Sequence, residues 1–349
     1  MPSSPHHASS LRVLCALCTL AILWCPSVYS RRLAEVAVEY VGNENASEPA
    51  TSHKNCWIYT HLKKSGGQTI KKIVHNRWGS RYREFDGSGW VMGENATAHF
   101  AETLASGSEW NMIVGGYPEA LRRTPAVDQK CMFFTTFRHP VARLVSAFYY
   151  CRARPVDPLC GSGVVLSEDI DLMTFAAHWG NFAFFQFVTR FVVADDVNKF
   201  LLTPDGGRHP RKEWPLFPAW YRLKLYFEGL EGDNTGADNN PSDQALYDML
   251  PQIQELIRDG YAAVGVLEEF NTTLSLFDVA LEMPGVDWHR DFVKYGISNA
   301  DEKYAKEKEE SMREAWTSPE IRRHMRIDLL LYEYAVAVFH DQARLYGLE

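Results

Sequence analysis

The sequence predicts an α/β fold, a parallel β-sheet with helices on both faces, and three observations carry that expectation. Short apolar runs alternate along the chain with segments of helical period, the order that builds strand–helix–strand units. Two of those runs feed directly into turns that carry basic residues. Hydrophobic residues fill 46% of 349 positions and charged residues 23%, so the chain can bury one large core or two smaller ones.

The elements follow in order. Cys56 to His61 (CWIYTH) reads as the first strand. It enters a glycine turn, Lys63-Lys64-Ser65-Gly66-Gly67, and then a helix from Gln68 to Trp78 with Ile70, Ile73, Val74 and Trp78 at helical spacing. Met112 to Gly116 is a short buried strand. Cys131 to Phe137 is another, followed by Pro140 and a helix carrying Val141, Leu144, Val145 and Phe148. Tyr261 to Val266 is a further strand, ahead of Glu268-Glu269-Phe270 and a helix through Leu274, Phe277 and Leu281. Residues 204–243, rich in Pro, Gly, Asp and Asn, read as an insertion or mobile loop. Asp301 to Glu314 reads as an exposed helix face of mixed charge. Pro319 to Leu348 reads as one long amphipathic helix, with Ile321, Met325, Leu329, Tyr332, Val336 and Phe339 along one face.

The N-terminal part has a different character. Residues 1–30 contain the apolar stretch Leu11 to Tyr29, which reads as a signal peptide or a type II membrane anchor. Residues 31–54 are polar and read as a stem, which leaves 55–349 as a single folded domain. Either reading of the leader sends that domain to an oxidising lumen, and the sequons at Asn45, Asn95 and Asn271 agree. Outside the leader lie four cysteines, whose spacings fit no Cys-x₂-Cys metal pair. Cys56 and Cys131 each precede a strand, and Cys151 and Cys160 bracket a short loop, so the expected bridges are 56–131 and 151–160.

Net charge is −8, unevenly spread. Lys54 to Arg154 holds fifteen basic and seven acidic residues, whereas 155–349 holds eighteen and thirty-three. A basic segment on an acidic chain points to a local anion site and away from nucleic acid as a partner. Arg122-Arg123 and Arg208-His209-Pro210-Arg211-Lys212 are either contacts for an anionic glycan or solvated loop charges.

Two segments carry chemistry. In the turn after the first strand, Ser65, Gly66, Gly67, Gln68 and Thr69 bring backbone N–H groups and hydroxyls to a helix start, and Lys64 adds a positive charge. The lysine precedes the glycines, so the Walker pattern is not met. In the second segment, Arg138 leaves a strand end before His139-Pro140, and Ser146 follows two helical turns later. An arginine so placed suits a bidentate phosphate contact or a structural carboxylate pair.

Together these segments resemble the carbohydrate sulfotransferase family, in particular its heparan sulfate 2-O- and 6-O-sulfotransferase branch. His61-Leu-Lys-Lys-Ser-Gly-Gly-Gln-Thr69 is similar to the family's 5′-phosphosulfate loop, H-I-P-K-T-G-G-T-T. Arg138-His-Pro-Val-Ala-Arg-Leu-Val-Ser146 is similar to its 3′-phosphate motif, R-[DH]-P-V-x-R-x-x-S. Weaker similarity runs through Val264 to Phe270 and Asp328 to Tyr332.

The resemblance implies a P-loop-like sheet and a sulfotransferase domain using 3′-phosphoadenosine 5′-phosphosulfate without a metal. It implies a carbohydrate acceptor, anionic or neutral, and a Golgi-membrane or secreted setting. Lys64 would neutralise charge on the bridging oxygen as the sulfuryl group leaves, residues 65–69 would hold the 5′-phosphate, and Arg138 with Ser146 the 3′-phosphate. The chain departs from the family at Lys63, where proline is usual, and at Gly116-Tyr117, where relatives often carry Gly-His. Glu94 and His99 are therefore the candidate catalytic bases, with His61 a third. A P-loop phosphotransferase and a catalytically inactive binding relative are the alternatives.

Overall fold

The computed structural model describes residues 56–85, 102, 112–154, 160, 170–192, 223–224, 242–295 and 304–349. Among them the strands are β1 (Trp57–Thr60), β2 (Tyr82–Phe85), β3 (Met112–Gly115), β4 (Met132–Phe137) and β5 (Tyr261–Val266). The helices are α1 (Gly67–Trp78), α2 (Pro125–Lys130), α3 (Pro140–Ala153), α4 (Leu172–Trp179), α5 (Phe182–Val188) and α6 (Ser242–Gly260). They continue with α7 (Phe270–Leu281), α8 (Trp288–Tyr295), α9 (Ala305–Thr317), α10 (Pro319–His324) and α11 (Arg326–Leu345). The strands form one sheet in the order β2-β3-β1-β4-β5, and every pairing is parallel.

Both faces of that sheet are covered, which is why its strands read as unbroken apolar runs. Alternate residues of each strand point to opposite sides. Ile58, Ile113, Phe133 and Val264 enter one core with α3, α4, α5 and α6. Trp57, Tyr59, Val114, Phe134 and Ala263 enter the other with α1, α7 and Trp288 of α8. The α/β expectation therefore holds. β2 carries no comparable apolar signal; YREF is half charged, and β2 stands at the sheet edge.

The far edge, β5, is closed by a side chain. Gln342 of α11 accepts from the Val264 N–H at 2.8 Å and donates to the Tyr261 carbonyl at 3.1 Å, meeting backbone groups that an edge strand leaves open.

The C-terminal helix differs from the single element expected. It divides at Met325 into α10 and α11. The physical reason is a pair of exchanged caps. Asn181 Oδ1 accepts from the N–H groups of Ile327 and Asp328 at 3.1 and 3.2 Å. The Asp328 carboxylate accepts from Ala183 and Phe184 at 3.2 and 2.8 Å. Each helix start thus satisfies the other's orphan donors.

Both expected disulfides are present. Cys56–Cys131 joins the residues just before β1 and β4, whose first residues Trp57 and Met132 are in register. Cys151–Cys160 ties the last turn of α3 to residue 160. The leader, the stem, the 208–212 basic cluster and almost all of the 204–243 segment lie outside the described residues. Among the described residues no helix is long and apolar enough to cross a membrane.

Candidate anion-binding site

In the order 2-3-1-4-5 the chain leaves β1 toward one side of the sheet and leaves β4 toward the other. Ligands of open parallel sheets bind outside the strand C-termini at such a reversal. The two basic segments follow β1 and β4 and so meet there.

The first segment is a turn built under constraint. Thr60 ends β1, and the Ser65 N–H closes on the Leu62 carbonyl at 3.1 Å. Lys64, third of the four turn residues, has φ 67°, a left-handed conformation unusual for a side-chain-bearing residue. Lys63 occupies the second position, the one where proline is favoured in such turns. A proline would suit this position, which a lysine fills.

The two glycines are required for different reasons. Gly66 caps α1 with φ 83°, and a Cβ on it would stand 2.9 Å from Leu267 Cδ1. A Cβ on Gly67 would fall onto the ring of His61.

The start of α1 is an electropositive end that its own first turn does not neutralise. It has no side-chain cap and no acidic residue in its first turn, so the helix dipole there favours an anion. Ser65 is 0% exposed, and among the described residues its Oγ has no hydrogen-bond partner. A buried hydroxyl in that state is costly unless something outside the protein completes it. Thr69 is buried in the first turn and Gln68 is exposed.

The second segment locks onto the first. Arg138 Nη1 donates to the Lys64 carbonyl at 3.1 Å. Burial lowers the Arg138 pKa from its usual value, nearby Glu268 opposes that, and Arg143 reinforces it. Glu268 itself accepts from the His139 N–H at 2.9 Å and the Tyr332 hydroxyl at 3.1 Å. Ser146 lies half-buried on α3, on one stripe with Ala142 and Tyr150. The Lys64 ammonium lies over the Tyr150 ring, 4.1 Å from its centroid.

His61 has a supporting part. It is 3% exposed and stacks on Tyr59. Its pKa is held well below the ordinary histidine value, by burial first and then by Lys63, Lys71 and Lys64. It is a neutral wedge beneath the turn, and its carbonyl is held by Gln186 Nε2 at 3.0 Å, which also binds the Gly116 carbonyl at 2.6 Å.

Lys64, Ser65, Gly66, Gly67, Gln68 and Thr69 thus share one loop and helix start, and Arg138 touches it. Glu94 and His99 lie outside the described residues. Arg122 is no glycan contact and no solvated loop charge. It is 4% exposed, pairs with Glu119 and Asp128, and donates to the Gly260 carbonyl at 2.7 Å. Arg123 donates to the carbonyls of Ala120 and Val192. Glu268 lies in the Val264–Phe270 stretch that the sequence singles out, with no role assigned to it there, and Tyr150 carries little signal: only its i+4 spacing from Ser146 places it near the motif. Among the described residues no cluster of metal-ligating side chains occurs.

No protein-family model matches the chain. A search of curated proteins likewise finds no match.

Proposed function

We propose that this chain is a sulfotransferase, moving a sulfuryl group from 3′-phosphoadenosine 5′-phosphosulfate to a hydroxyl of a glycan-type acceptor in the secretory pathway. The supporting observation is the junction of the two segments: Arg138 bonded to the Lys64 carbonyl beside an uncapped helix start and a buried, unpartnered Ser65 Oγ. Those groups fit a doubly anionic nucleotide end, which would complete Ser65 and the leading N–H groups of α1.

The donor, when bound, supplies an activated sulfuryl group. The protein supplies fixed positive charge and N–H donors, which is what transfer of a charged group requires. Lys64 stands where its ammonium can offset negative charge on the bridging oxygen as that bond breaks. Arg138 does two things: it offers charge to the nucleotide and it holds the carbonyl of the residue that carries Lys64. Its loss therefore reaches both binding and turnover. The N-terminal segment would hold the domain at the Golgi membrane, or be cleaved to release it.

A second reading, an inactive nucleotide-binding relative, is favoured by one observation. His61 is buried and neutral beneath the loop, so it is placed to support the loop and not to take a proton from an acceptor.

Turnover of radiolabelled donor on a panel of glycans separates the two. Lys64→Ala should lower kcat roughly 10²–10³-fold, the scale of other transition-state charge contacts, with a smaller effect on donor binding. Binding of adenosine 3′,5′-bisphosphate without turnover on any acceptor would favour the inactive relative. Preference for ATP over the bisphosphate would defeat both.

A further inference from the structure

We propose that Asn271 is an N-glycosylation site that is modified only before β5 and α7 close on each other. Asn271-Thr272-Thr273 is a sequon, and it occupies the first turn of α7. The donor is a lipid-pyrophosphate-linked oligosaccharide. The Asn271 amide nitrogen forms a bond to C1 of the sugar and the bond from C1 to the pyrophosphate oxygen breaks. The proton lost by the amide leaves with the lipid pyrophosphate.

The two ends of the sequon have opposite fates in the fold. Asn271 is exposed, and among the described residues its side chain makes no hydrogen bond, so a bulky hydrophilic chain can stand there in solvent without disturbing the core. Thr273 is 0% exposed. Its Oγ1 accepts from the Val266 N–H at 2.8 Å and donates to the Val266 carbonyl at 2.9 Å, closing the last residue of β5. Gly265 makes the room for it, since a Cβ there would stand 2.3 Å from Thr273 Cγ2. Packing therefore accounts for Thr273 and gives Asn271 no structural task. A transferase that reads the Asn amide and the Thr hydroxyl together needs both on one side of the chain. Extended backbone puts residues i and i+2 on one face, whereas in a helix they stand about 200° apart. Folded α7 thus turns the amide to solvent and the hydroxyl to the core.

The fold also leaves time for the addition. The outer edge of β5 is completed by Gln342 of α11, 78 residues beyond Val264, and α7 shares its core with Phe339 of the same helix. Neither contact exists until α11 has been synthesised. At about 5–20 residues per second, 78 residues take roughly 4–16 s, and for that interval Thr273 has no finished core to enter. The proposal rests on the lumenal setting of the domain and is independent of the sulfuryl donor.

The test translates the full chain in vitro with endoplasmic-reticulum microsomes, and protease protection reports entry into the lumen. Peptide N-glycosidase in heavy-oxygen water then converts each occupied asparagine to a labelled aspartate, which mass spectrometry assigns separately to Asn45, Asn95 and Asn271. Protected wild-type chain should carry the label at Asn271, and so should Thr273→Ser, which keeps a hydroxyl. Asn271→Gln should lose it and unfold at the same temperature as glycosidase-treated wild type. A second arm presents glycan-free chain, either oxidised and folded or reduced and unfolded, to solubilised microsomes with lipid-linked oligosaccharide. The folded form should be modified at Asn271 at least about tenfold more slowly, because the sequon is reached only by local opening of α7. Protected chain without label at Asn271 overturns the proposal and leaves the lumenal setting standing, whereas chain neither protected nor labelled overturns both. Equal modification of folded and unfolded chain overturns the order of events.

Discussion

Replacing Gly67 with alanine sets two physical effects against each other. Helix propensity favours alanine over glycine by about 0.5–1 kcal/mol at an unhindered helical position. Sterics oppose it, since the new Cβ would land on the His61 ring. That ring has little room to retreat, being 3% exposed and stacked on Tyr59 with centroids 6.0 Å apart. Overpacking of this kind costs about 1–3 kcal/mol, so the net expectation is a loss of roughly 1–2 kcal/mol. Urea unfolding should show a lower midpoint at unchanged m. The same substitution in a His61→Ala background should be neutral or stabilising, giving a coupling of at least about 1 kcal/mol between the two sites. Wild-type stability or better in Gly67→Ala alone would refute the packing of this loop on His61.

Three further outcomes are expected. Lys63→Pro should stabilise the protein by about 0.4–1 kcal/mol, because proline suits the second position of the Leu62–Ser65 turn and restricts the unfolded chain; a lower Tm would show that the turn is read wrongly. Removing Cys56–Cys131, with its separation of 75 residues, should cost about 4.5 kcal/mol, and removing Cys151–Cys160, separated by 9, about 2.5 kcal/mol; denaturant unfolding in which the shorter loop costs more would contradict the chain-entropy order. His61 has a depressed folded pKa, so its contribution is complete above about pH 6.5, the unfolded value, and is lost as pH falls below it, at up to about 1.4 kcal/mol per pH unit. His61→Gln should flatten that decline between pH 6.5 and 5, and an unchanged slope would remove His61 as its source.

Much of the fold was legible because its strands are buried on both faces. Such strands must be apolar throughout, so β1, β3, β4 and β5 announce themselves locally, whereas the half-charged β2 does not. The candidate site was legible for a related reason: its glycines, lysines and Arg138 sit at strand ends, where local chemistry and backbone conformation coincide. Tyr150 was not legible, since an aromatic on an amphipathic helix has the same local pattern whether it packs in a core or seats a charge. Arg122 misled, because a paired arginine run looks solvated until Glu119 and Asp128 are seen beside it.

By itself the sequence determined the α/β class, the strand–turn–helix at each basic segment, and the cysteine pairs that strand starts and a short loop bring together. Each depends on residues near one another in the chain, where periodicity and turn chemistry act directly. Tertiary structure alone decided the strand order, the division of the last helix at Met325, and the bond from Arg138 to Lys64. Asn181 caps a helix that begins 145 or more residues later, with separations of 146 and 147 to Ile327 and Asp328, and Arg138 reaches back 74 residues to the loop. No local pattern encodes such partners, because a polar side chain satisfies its hydrogen-bonding need with whichever group the folded core places beside it.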